Sequence, residues 1–105
     1  MLEVESIALD SPSWAKLHFS LGRLNFLLND LRKARGHFLN AGKHGLPEAM
    51  AFYNVAMTYA VDESLDEKER KQQTIASLRM VINAAGPSSQ PGMEAALHIR
   101  LLELS

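Results

Sequence analysis

Gly22 and Ala56 stand 34 residues apart, inside two stretches that match each other. His18-x2-Leu21-Gly22-x2-Asn25 lines up with Phe52-x2-Val55-Ala56-x2-Tyr59, and Phe19 lines up with Tyr53. A self-match at such a period is the mark of a stacked supersecondary unit. A second alternation follows each stretch. Ala34-x3-Phe38-x2-Ala41 sets small, large and small residues on one helix face, and Ser77-x3-Val81-x2-Ala84 repeats it 43 residues later. The longer second spacing fits an insertion of about nine residues, where DESLDEKERK lies.

Small residues at these places limit what the chain can become. Two antiparallel helices joined by a short turn approach closely only where the crossing side chains are small. Gly22 and Ala56 are the small sites on the first helix of each pair. Ala34 and Ala41 flank Phe38 on the second, so the ring is expected to enter the neighbouring groove. A leucine at Ala34 or Ala41 would overpack, at about 1–3 kcal/mol.

The helices themselves are legible. Ser11-Pro12-Ser13 is a start signal, and Trp14, Leu17, Leu21, Leu24 and Leu28 keep helical spacing over residues 13–28. Asn29-Asp30 breaks the chain, and a second helix fits residues 31–43, closed by Gly42-Lys43-His44-Gly45. Leu46-Pro47-Glu48 opens a third, residues 48–61. Ser64-x2-Glu67 reads as a capping box for a fourth, residues 65–85, with Ile75, Leu78, Val81, Ile82 and Ala85 as its stripe. After the loop Gly86–Gly92 a fifth fits residues 93–104. No segment alternates as a strand does. The expected class is all-α, in one domain of 105 residues. Residues 1–10 fit either a short helix or an arm.

Composition removes several functions. There is no cysteine, hence no disulfide, thiol catalysis or Cys-based zinc site. The net charge of −1 sets up no global field for nucleic acid or an anionic membrane. Arg32, Lys33, Arg35 and Lys43 cluster on the second helix without interleaved aromatics, and read as a solvated face. His37 and His44 share a face, but no third ligand stands at helical spacing, so they read as surface or capping residues and no metal or cofactor is expected. No nucleophile elbow or phosphate-binding glycine loop is present, so an enzyme is not expected. The start carries Glu3 and Glu5 where a secretory signal carries Lys or Arg, and no apolar run spans a bilayer; a cytoplasmic location is the expectation. Ser105 ends an apolar segment abruptly, as the end of a piece of a longer chain would.

The pattern resembles the tetratricopeptide repeat family, whose signature is W-x2-L-G-x2-Y…A-x3-F…P at a 34-residue period. Leu21, Gly22, Ala34, Phe38 and Ala41 fall in register, then Phe52, Val55, Ala56 and Tyr59. Residues 41–59 are also similar to the related Sel-one-like repeats. The departures are His18 in the Trp slot, with Trp14 one turn earlier, Asn25 in the Tyr slot, and Pro47 one residue late. The resemblance implies an α-α superhelix of two helix pairs, about residues 15–48 and 49–86, plus a closing helix at 93–104. It implies a non-catalytic adaptor or chaperone-like module holding a segment of a protein partner in a groove. By position that groove would present Lys16, Phe19, Arg23, Tyr53, Asn54 and Met57. The family's clamp for C-terminal carboxylates is not implied, since its slots hold Phe19 and Arg23.

The closing helix suggests an alternative. Met93, Ala96, Leu97, Leu101 and Leu104 form one stripe, and Ile99 and Leu102 point elsewhere. A helix apolar on two faces is usually buried on both, so self-association through Ile99 and Leu102, giving a homo-oligomer, is the competing expectation.

Overall fold

The computed structural model describes residues 11–105, and the ambiguity over residues 1–10 lies outside them. Among the described residues the chain is all-α. Its five helices are α1 (Ser11–Leu27), α2 (Leu31–Lys43), α3 (Glu48–Ala60), α4 (Glu67–Ala85) and α5 (Gln90–Leu104). Each packs chiefly on its neighbours in the chain. The Cα trace spans 47 × 33 × 15 Å. In so thin a slab every helix keeps a face on solvent.

The breaks follow local chemistry. Asn29 takes φ 62°, and Asp30 caps α2 by accepting from the Lys33 N–H. Gly45 (φ 117°) turns the chain between α2 and α3, and Gly86 (φ 94°) ends α4. Both angles suit a residue without Cβ. The start of α4 differs from the capping box expected at Ser64. Asp66 is the cap and accepts from the Glu69 N–H at 2.8 Å, while the Ser64 hydroxyl is turned toward Asp62, to which it donates at 2.5 Å. At α5, Ser89 accepts from the Gly92 N–H at 3.1 Å, so the helix begins three residues before the expected Met93.

Close approach happens where the small residues stand. Gly22, Ala34, Ala41 and Ala56 are all buried. A Cβ on Gly22 would lie 2.6 Å from Cε1 of Phe38. Ala34, Phe38 and Val55 form a first core, with Phe19, Phe26 and Tyr59 packed on it. Ala56, Leu78, Val81, Ala95 and Ile99 form a second, flanked by Phe52, Met57, Ile75, Ile82 and Leu102. Gly22→Ala is therefore expected to destabilise. The overpacking term of about 1–3 kcal/mol is only partly offset by about 1 kcal/mol of helix propensity. A urea titration should place its midpoint below that of the unmodified chain.

Two apolar stripes depart, one in part, from the faces expected of them. On α1, Ala15 and Gly22 are buried and Trp14, Leu17 and Leu21 half-buried, whereas Leu24, and Leu28 just past the helix, are exposed. On α5, Ile99 is buried in the second core and Leu102 is half-buried against it, while Met93, Leu97, Leu101 and Leu104 face out. Ile99 and Leu102 are thus internal contacts and are not available for self-association. The reason is the same in both helices. The side that can come close is the one carrying small residues, Ala15 and Gly22 in α1, Gly92 and Ala95 in α5.

The basic cluster on α2 also divides. Arg32, Lys33 and Lys43 are exposed. Arg35 is not solvated: its Nη1 donates to Oδ2 of Asp62 at 3.0 Å, and its guanidinium lies 4.2 Å over the Tyr59 ring.

Candidate partner-binding cleft

The first helices of the two pairs, α1 and α3, border a cleft of about 290 Å³ lined by Arg23, Phe26, Leu27, Phe38, Asn54 and Met57. Its position follows from Gly22. With no side chain there, the Phe38 ring reaches from α2 up to α1 and closes the floor. Phe26 and Met57 are half-buried, so each serves both core and cleft. Leu27 is 81% exposed and forms an apolar lip.

Arg23 is exposed, and its guanidinium lies 6.0 Å from the Phe19 ring centroid. A cation over a ring is held loosely and still reaches for a carboxylate. Asn54 spends its Nδ2 on the Met50 carbonyl at 2.8 Å. It therefore offers its side-chain oxygen, an acceptor for a backbone N–H of a bound segment.

Of the six groove residues expected from position, Arg23, Asn54 and Met57 come together here. Lys16 is exposed two turns before Arg23 on α1, beyond the cleft. Tyr53 is 40% exposed on α3 beside Asn54, and is not part of the lining. Phe19 is a packing residue: its ring sits 5.8 Å from that of Phe38 at 56°. Phe26, Leu27 and Phe38 were not expected in the cleft. Phe38 has a readable signal, because a ring aimed at a glycine must surface between the helices that flank it.

A second concavity, about 460 Å³, lies where the α1–α2 and α3–α4 turns meet, lined by Asp30, Arg32, Arg35, Asp62, Glu63 and Ser64 among others. Its two buried charges are committed to each other. Asp62 accepts from the Ser64 hydroxyl at 2.5 Å, the Ser64 N–H at 3.0 Å and Arg35 at 3.0 Å. The Ser64 hydroxyl above all, with Arg35 behind it, holds the carboxyl below its ordinary range although burial opposes this.

Trp14 and His18 of α1 stack with His37 of α2 and His44 at its end, ring centroids 5.3 to 6.0 Å apart. Nδ1 of His18 and Nδ1 of His37 are 3.1 Å apart, so one nitrogen carries the hydrogen and the other accepts it. His44 also closes α2, its backbone N–H reaching the Ala41 and Asn40 carbonyls. Among the described residues no three His, Asp or Glu side chains converge as metal ligands, and no helix is long and apolar enough to cross a membrane.

Compared with protein-family models, with curated proteins and with solved structures, the chain shows no match.

Proposed function

We propose that the chain is a non-catalytic binding module of the tetratricopeptide-repeat kind, which holds an extended or helical segment of a partner protein along α1 and α3. The observation that carries this reading is the cleft itself. It combines an apolar lip and floor, Leu27, Phe26, Phe38 and Met57, with one cation and one free amide oxygen, Arg23 and Asn54. Such a mixture suits one apolar side chain of a ligand seated between the helices, with its backbone and a neighbouring carboxylate fixed at the rim. Tyr53 and Lys16 extend the surface on either side. An adaptor or chaperone-like role, with the cytoplasm as the place of action, is the corresponding biological reading.

The test is selection of displayed random peptides against the full chain, followed by fluorescence titration of an enriched peptide. Arg23→Glu is expected to weaken binding about tenfold or more, the equivalent of about 1.4 kcal/mol, and Tyr53→Ala less so. Both side chains are exposed, so circular dichroism should stay unchanged. Enriched peptides that bind both variants as tightly as the unmodified chain would remove the cleft from consideration.

A further inference from the structure

The walls of the cleft carry one sign of charge, in a chain whose net charge is −1. α1 has Lys16 and Arg23 and no acid, and the only charged residue of α3 is Glu48, at its start. At about 100° per residue, Lys16, Phe19, Arg23, Phe26 and Leu27 fall within an arc of about 100°. Both cations thus stand on the stripe of α1 that leads into the cleft. Both are exposed, and among the described residues neither has a carboxylate within ion-pair distance.

The opposite charge stands immediately before α1. Residues 1–10, MLEVESIALD, hold Glu3, Glu5 and Asp10 and no basic side chain, interleaved with Leu2, Val4, Ile7 and Leu9. We propose that this segment turns back along α1 and occupies the cleft until a partner displaces it, with Leu2 over the apolar floor, Glu3 at Arg23 and Glu5 toward Lys16. The inference rests on the cleft being the binding site, and adds how that site is regulated.

Reach and order both fit. Arg23 lies about 18 Å along α1 from Ser11, and Phe26 about 22 Å. Glu3 and Leu2 are eight and nine residues before Ser11, a reach of about 26 and 30 Å when extended. The surplus of about 8 Å, two to three residues, allows the chain to reverse direction at the start of α1. Running back, the segment meets Lys16 first, then Arg23, then the floor at Phe26 and Phe38. Its residues arrive in the matching order, Glu5, Glu3, Leu2. A tether this short holds the segment at an effective concentration of about millimolar, so two exposed ion pairs and one apolar side chain suffice to cover the cleft for much of the time.

A nitroxide on Ser6→Cys tests this in the full chain, which has no other cysteine. Paramagnetic broadening of the Met57 methyl and the Asn54 side-chain amide is expected, with the Met93 methyl on α5 spared. Lys16→Glu with Arg23→Glu should abolish the broadening, and adding Glu3→Lys with Glu5→Lys should restore it. Added salt should weaken it, because the pairs are exposed. A peptide enriched on the cleft should bind the Glu3→Gln, Glu5→Gln chain about threefold tighter or more, since a larger fraction of the sites is then open. The proposal is overturned if Met57 and Asn54 stay sharp, if they broaden equally after the charges of Lys16 and Arg23 are reversed, or if the peptide gains nothing from the Gln variants. Peptide binding at the cleft with Met57 and Asn54 sharp would remove the segment and leave the binding-module reading standing. Charge-dependent broadening with no peptide enriched would support the segment and remove that reading.

Discussion

Phe38→Ala is expected to cost about 3–5 kcal/mol, a large part of the 5–15 kcal/mol available to a domain of this size. Phe38 is 2% exposed and stands between Ala34 and Val55 in the first core. The cavity left behind cannot collapse easily, since Ala34 and Ala41 on the same helix are already at full contact. The urea midpoint should fall accordingly. The expected coupling with Gly22 is sharper still. In the unmodified chain a Cβ at position 22 meets the Phe38 ring at 2.6 Å; in the Phe38→Ala chain it meets open space. Gly22→Ala should then be neutral or stabilising, by up to the ~1 kcal/mol of helix propensity, and the two changes should be non-additive by at least about 1 kcal/mol. Simple additivity would mean that Phe38 does not occupy the space above Gly22.

Asp62→Asn is expected to cost about 2–3 kcal/mol at neutral pH. The pair it breaks is nearly dry, with side-chain exposures of 15% for Arg35 and 8% for Asp62, and the variant leaves the guanidinium without its counter-charge. The pH dependence follows from the direction of the shift. The folded-state pKa of Asp62 is lowered, chiefly by the Ser64 hydroxyl. Its contribution is therefore fully present above the unfolded value of about 3.9 and is lost as pH falls through the lower folded value. The gap in urea midpoint between Asp62→Asn and the unmodified chain should be constant from neutral pH down to about 4, then narrow. A gap that stays open in stronger acid, or is absent at neutral pH, would show that the ion pair does not stabilise the turn.

Residue volume was the most informative property of the sequence. Gly22, Ala34, Ala41 and Ala56 announce helix crossings because nothing larger fits there, and that signal is local. The same property, applied to Gly92 and Ala95, identifies the buried face of α5, whereas counting large apolar residues selects the wrong one. Helix ends were harder where two caps compete. Ser64-x2-Glu67 and Asp66-x2-Glu69 both have the spacing of a capping box; Asp62 holds Ser64 in the preceding turn through the Ser64 N–H and hydroxyl, and Asp66 caps the helix. Arg35 could not be told from its basic neighbours, because its partner lies 27 residues away and is brought in by the packing of α2 on α3. In the cleft, Arg23, Asn54 and Met57 were readable from repeat position. Phe19 was not, since a ring at that position can turn either to the core or to solvent.

Val55 and Ala56 are adjacent on α3, yet Val55 belongs to the first core and Ala56 to the second. One helix thus serves as the shared wall of two otherwise separate interiors. Either flanking pair can fray while the other core stays intact, so amide protons of α1 and α5 should exchange through partial openings, and those around Val55 only when the whole chain opens. Such a molecule yields at its edges first, and α3 sets the rate at which its last protected amides are lost.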